Sequence, residues 1–128
     1  MALELVVLSI IFGACIGSFI NVVVFRLPRN ESFVTGRSKC PKCQKRLGFL
    51  DLFPIFSWIL LRGKCRHCFK NISIRYPIVE LITSVFFLSC IYSYGFNQFS
   101  ESLTFNLVSG WILLSLLITL TIIDIDTM

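Results

Sequence analysis

No lysine or arginine occurs outside residues 26–75 of this 128-residue chain. Two stretches, residues 5–25 and 103–123, carry no charged residue at all, and a third, residues 76–96, carries only Glu80. Each is about as long as the roughly 20 apolar residues that a helical bilayer crossing requires. With 55% hydrophobic residues, thirteen Phe and a mean hydropathy of +0.81, this excludes an ordinary soluble domain. The first residues, MALEL, lack the basic start of a signal peptide. The apolar run behind them also exceeds the usual ~7–15 residues, so it reads as a retained helix. No internal repeat or low-complexity tract is present apart from two echoing cysteine pairs. The expectation is an all-α integral membrane protein with three transmembrane helices and a cytoplasmic zinc-knuckle loop between the first and second.

The charges that are present orient it. All twelve Lys and Arg lie in residues 26–75 with only Glu31 and Asp51 among them, so this loop is +10 while the rest of the chain is −5. Loops shorter than about 60 residues obey the positive-inside rule. The loop is therefore expected in the cytoplasm, the N-terminus and the turn GFNQFSES outside, and the acidic end of the third helix on the cytoplasmic rim. Charge bracketed by membrane spans is what insertion itself demands, so no nucleic-acid partner is expected, and anionic lipid headgroups are the natural neighbours.

Within that loop, CPKC (Cys40, Cys43) and CRHC (Cys65, Cys68) form a CxxC pair repeated after twenty-one residues. Two thiolates on a tight turn can take adjacent corners of a tetrahedron, and two such turns complete a zinc shell. A reducing cytoplasm favours zinc over disulfides, and no thioredoxin-like pattern surrounds either pair to support a redox role. His67 is a spare donor for a shell four thiols already fill. Cys15 and Cys90 fall in the spans and read as apolar thiols.

In the first span, Gly13 and Gly17 of GACIGSFIN allow close helix approach, while Ser18 and Asn21 should face protein or water. Pro28 is expected to end that helix. The segment LGFLDLFPIFSWILL between the cysteine pairs is too short to cross and is divided by Pro54. It reads as an interfacial segment with Trp58 at headgroup depth. The run NISIRYPIVE is expected to be strand-like before Pro77 opens the second span, with Glu80 in its first helical turn. Glu80 then has two readings: a carboxylate favoured by the helix dipole, or a functional acid in the membrane.

The last segment, IIDIDTM, places Asp124 and Asp126 at a helix C-terminus, where the dipole disfavours negative charge. Stability alone does not select them there. An acidic helix end dissolving into water is one reading. The other is aspartic protease chemistry, in which two carboxylates share a proton, one activating water and the other polarising the peptide carbonyl. Residues two apart on a helix point about 200° away from each other, so Asp124 and Asp126 cannot be that pair. The only other Asp is Asp51.

The runs GSFINVVVFRLP, GRSKCPKCQKRLGFLDLFPIFSWILLRGKCRHCFKNISIRYPIVE and IIDID, in this order, resemble the N-terminal part of the prepilin peptidases, or type IV leader peptidases. The resemblance covers essentially the whole chain. It implies a bacterial inner-membrane aspartic endopeptidase that removes leaders from type IV prepilins or pseudopilins after a glycine. It also implies methylation of the new N-terminus with S-adenosylmethionine. By motif position Asp124 resembles the first catalytic aspartate, with Asp126 the second choice, and Cys40, Cys43, Cys65 and Cys68 resemble the family's metal tetrad. The spans and the basic loop divide the chain into a first transmembrane helix over 1–25, a basic zinc-binding domain over 26–75, a second helix over 76–96 and a third over 103–128, whose end the resemblance marks as the first catalytic motif. The family's second Asp lies in a GxGD motif that these residues do not contain. The chain thus resembles an N-terminal portion, completed by a C-terminal peptidase half, or else a non-catalytic zinc-stabilised membrane module. No glycine-rich Rossmann pattern marks a methyl-donor site, although Ser18, Asn21 and Glu80 are plausible surroundings.

Overall fold

A computed structural model describes residues 2–93 and 101–128, with side chains over 3–93 and 105–128. Its order is α1 (Ala2–Arg26), the cysteine-bearing loop with a five-residue helix α2 (Phe56–Leu60), α3 (Arg75–Ser93) and α4 (Glu101–Thr127). Among the described residues, three helices are long and apolar enough to cross a membrane, over Leu3–Arg29, Arg75–Ser93 and Phe105–Thr127. Residues 94–96 of the expected second span and most of the expected outer turn GFNQFSES lie outside the described residues.

Packing begins with the glycines. A Cβ on Gly13 would stand 2.7 Å from the Ser84 backbone, and one on Gly17 would stand 2.7 Å from Glu80 Cα. Hydrogen in place of a side chain therefore brings α1 into backbone contact with α3, the small-residue packing that substitutes for a hydrophobic drive inside lipid. The seam also carries polar ties, because a lone polar group in hydrocarbon is costly. Asn21 Nδ2 donates to Tyr76 O at 3.1 Å and Ser84 Oγ to Ile10 O at 3.1 Å, while the buried Thr83 Oγ1 is satisfied within α3 by Val79 O at 2.7 Å.

Helix α4 rests on this pair along one stripe. Ile118, Ile122 and Ile123 pack against Ile20, Val24 and Val79. About two turns toward the other end, the Trp111 ring stacks on Phe87 at 5.0 Å and 5°, and its indole N–H donates to Phe87 O at 3.2 Å. An indole in hydrocarbon needs such an acceptor.

Prolines punctuate the chain as expected. Helix α1 ends at Arg26 and passes into a short 3-10 turn around Pro28, after which Asn30 takes a left-handed φ of 55°. Pro54 separates a 3-10 turn, Phe49–Leu52, from α2. One expectation needs correction: α3 starts at Arg75, so Glu80 sits in the second turn and the first turn holds no acid. Pro77 lacks an amide that the first turn leaves unbonded anyway, so the helix starts before it. The strand expected before α3 reduces to one isolated bridge, Lys64 with Asn71.

Candidate metal cluster and the carboxylates at the helix ends

The two cysteine turns are built alike. In the first, the Cys40 amide donates to Lys45 O at 3.0 Å, and the Gln44 amide to Cys40 O at 2.9 Å. In the second, the Cys65 amide donates to Lys70 O at 2.9 Å, and the Phe69 amide to Cys65 O at 3.0 Å. Gln44 and Phe69, each just after the second cysteine of its pair, both take a left-handed φ, 57° and 55°. Each turn folds two thiols inward and faces the other turn.

All four Sγ atoms lie within 4.8 Å of one another, and Cys40 Sγ is 3.8 Å from Cys68 Sγ across the two knuckles. A tetrahedral ion bonded to sulfur at about 2.3 Å sets its donors about 3.8 Å apart, so the four thiols fit a metal ion. His67, outside this cluster, is exposed. Burial opposes a thiolate at Cys40, yet the amides of Cys43 and Lys42 and the neighbouring thiols outweigh it and lower its pKa to about 7. At Cys68 the Lys70 amide favours the thiolate, but desolvation and the surrounding thiols prevail and push the pKa up to about 11. Of these two thiols, Cys40 therefore loses its proton before Cys68.

The insert between the knuckles is tied to the helices at one point. Phe56 N–H donates to Pro54 O at 2.5 Å, closing a three-residue turn at Ile55, whose φ of 60° and ψ of −52° suit a β-branched residue poorly. Such conformations cost about 1–3 kcal/mol unless their surroundings hold them. Here the Ile55 amide donates to Glu80 Oε2 at 2.7 Å, and Ser18 of α1 stands beside the same carboxylate. The buried Glu80 is thus a brace between α1, α3 and the insert, a role neither sequence reading of it contained.

An open cleft of about 1070 Å³ lies between this brace and the knuckles, with Ser18, Asn21 and Glu80 among its lining and Arg29, Lys42 and Arg46 among its cations. Arg26 shapes one wall, donating to the carbonyls of Ser32, Gly36 and Arg37. Asp51 also lines the cleft and is occupied: Arg66 Nε lies 2.9 Å from its Oδ1, and the Gly48 amide donates to its Oδ2 at 3.1 Å.

The two terminal aspartates differ. Asp126 receives both terminal nitrogens of Arg75, at 2.7 and 2.6 Å, pinning the end of α4 to the start of α3. The Asp124 carboxylate is exposed and has no hydrogen bond or ion pair among the described residues. The fold does not bring Asp124, Asp126 and Asp51 together. Sequence reasoning placed the basic loop and the acidic pair on one side but did not pair Arg75 with Asp126. The signal was Arg75 itself, the last cation before a span.

The chain matches the bacterial peptidase A24 N-terminal domain over residues 11–94. It is 42% identical over 116 residues to a prepilin leader peptidase/N-methyltransferase of Myxococcus xanthus, covering 91% of this chain and 32% of that protein. It is 35% identical to the protein of the same name from Neisseria gonorrhoeae, over 94% of this chain and 48% of that one. It is 36% identical to the type 4 prepilin-like proteins leader peptide-processing enzyme of Escherichia coli, over 94% and 49%. The chain thus spans about a third to a half of the length of these relatives. No solved structure matches it. Matched across its helix pair and cysteine knuckles and over nine-tenths of its length by these relatives, the chain belongs to the prepilin leader peptidase family through its bacterial peptidase A24 N-terminal domain.

Proposed function

We propose that this chain forms the N-terminal part of an aspartic endopeptidase of the bacterial inner membrane that cleaves type IV prepilin or pseudopilin leaders after glycine. Asp124 supplies one half of its catalytic pair. The observation that carries this is the contrast at the end of α4: Asp126 has both oxygens taken by Arg75, while Asp124, on the same turn, has none taken. An ionised Asp124 accepts a proton from the attacking water, while a protonated partner carboxyl donates a hydrogen bond to the scissile carbonyl. Neither Asp51 nor Asp126 can be that partner, and the family pattern assigns it to a C-terminal peptidase half. Positive-inside charge puts the knuckle loop and Asp124 in the cytoplasm and the N-terminus outside. The division proposed is 1–25, 26–75, 76–96 and 103–128.

Cys40, Cys43, Cys65 and Cys68 hold zinc in this reading. Zinc supplies on the order of 10 kcal/mol of folding free energy to a loop with little apolar interior. S-adenosylmethionine, implied by the methyltransferase in the relatives' names, finds no glycine-rich strand–turn–helix cradle among the described residues. No step of methyl transfer is assigned to this chain's residues.

The test is cleavage of a model prepilin in membranes by this chain together with a C-terminal peptidase half. Asp124→Asn is expected to lower the rate by about 10²–10⁴-fold or more, and Asp126→Asn by less. An unchanged rate for Asp124→Asn refutes the proposal. A second reading, a non-catalytic zinc-stabilised membrane module, draws on the lack of a second carboxylate beside Asp124 among the described residues. It requires function to survive Asp124→Asn and to be lost with the cysteines.

A further inference from the structure

Between the knuckles, Phe49, Leu50, Phe53, Phe56, Ile59 and Leu60 are each 51–82% exposed. Six large apolar side chains within twelve residues, with no covering protein, make a patch of the kind that marks an interaction surface. Its place in the fold says what covers it. The Ile55 amide bonds the carboxylate of Glu80, which sits in the second turn of a helix long and apolar enough to cross a membrane. Counting from Arg75, that is about 7 Å down the helix axis at 1.5 Å per residue. Helical side chains lean toward the N-terminus, so the Glu80 carboxylate holds the middle of the insert beside the first turn of α3. Residues 26–75, the loop with the helix ends that flank it, carry all twelve Lys and Arg of this chain, and such cations belong on the polar side of a membrane boundary.

We infer that residues 49–60 are a half-inserted membrane anchor. Their apolar side chains enter the headgroup–acyl boundary of an anionic bilayer, Glu80 fixes their depth, and the cysteine module is thereby held flat against the membrane beside the ends of α1 and α3. The strained turn at Ile55 fits this role, because its part-buried amide is satisfied by Glu80 and needs no water, which is scarce at that boundary. Trp58 sits on the same short helix. Its ring packs where a Cβ on Gly63 would stand, and its indole donates to Ile72 O at 3.3 Å, which couples the anchor to the second knuckle. The inference needs the three membrane helices only and is independent of the peptidase reading.

The experiment uses the whole chain with Trp111→Phe, so that Trp58 is the sole tryptophan, reconstituted in phosphatidylglycerol-containing bilayers. Lipid brominated high on the acyl chain is expected to quench most of the Trp58 emission, lipid brominated near the chain end little, and aqueous acrylamide little. Phe56→Glu in the same background is expected to restore acrylamide quenching. Hydroxyl-radical footprinting of the unsubstituted chain in the same bilayers gives a second readout. Phe53 and Phe56, exposed in the protein alone, are expected to be protected by lipid. Trp58 open to acrylamide and indifferent to brominated lipid, or Phe53 and Phe56 oxidised in bilayers as they are in a dissociating detergent, overturns the inference and leaves the patch to a protein partner.

Discussion

Replacing Gly17 with valine tests the packing that positions everything else. The new Cβ would stand 2.7 Å from Glu80 Cα, 3.0 Å from Thr83 Oγ1 and 3.2 Å from Glu80 N. Carbon atoms in contact settle at about 3.5–4.0 Å, and the nearest obstacle is backbone, so α1 and α3 must part by about 1 Å. Thr83 is fully buried, so the two further methyl groups find no vacant space. A 1 Å separation also stretches the Asn21–Tyr76 bond from 3.1 Å past hydrogen-bonding range. Overpacking of this kind costs about 1–3 kcal/mol, and with a lost polar tie the total lies near the top of that range. Valine recovers only a few tenths of a kcal/mol in helix propensity over glycine. The expected net loss is about 2–3 kcal/mol, or about 30- to 150-fold in the unfolding equilibrium. Unfolding would be followed in detergent micelles by tryptophan emission, which reports the Trp111–Phe87 stack. Cys15→Ala, at an exposed position on α1, serves as a control expected to stay close to wild type. Gly17→Val with an unchanged midpoint would show that α1 and α3 do not meet at this glycine.

Cys65, almost fully buried at the centre of the cluster, should be indispensable to it: Cys65→Ser is expected to lose bound zinc by plasma emission and to open the loop to protease, and unchanged metal content would sink the four-thiol site. In the metal-free chain, initial rates of iodoacetamide labelling are expected to reach half-maximum near pH 7 at Cys40 and near pH 11 at Cys68, and the opposite order would contradict the geometry. The lowered Cys40 value adds stability above its ordinary 9.0 that is lost as pH falls through about 7, while the raised Cys68 value adds stability below 9.0 that is lost as pH rises through about 11. Arg75→Ala should change stability by no more than about 1 kcal/mol, because its ion pair is partly exposed. Under the proposed peptidase function it should nonetheless slow prepilin cleavage by about ten- to a hundredfold by loosening the end of α4 beside Asp124, with recovery in the exchanged pair Arg75→Asp, Asp126→Arg. Equal rates for wild type and Arg75→Ala would remove Arg75 as a positioning residue.

Much of this protein was legible in one dimension because the bilayer is an unforgiving solvent. Uncharged runs near 20 residues must be helices there, and the confinement of every Lys and Arg to residues 26–75 marks one connecting loop. The CxxC spacing likewise encodes its own geometry, since two thiols three residues apart on a tight turn converge whatever surrounds them. Gly13 and Gly17 could be read as a packing face without knowing which helix they meet.

Tertiary structure decided the polar partners. Neither Glu80's hold on the Ile55 amide, twenty-five residues back, nor Arg75's hold on Asp126, fifty-one residues on, follows from local pattern. Such bonds depend on where the loop folds back and on how α4 crosses the α1–α3 pair. Hydrophobic periodicity carries no such information in helices apolar on every side. For the same reason Asp124 and Asp126 were indistinguishable in the sequence beyond their motif positions. Two residues apart they point in different directions, and only the placement of α3 determines which of them meets a guanidinium and which is left free.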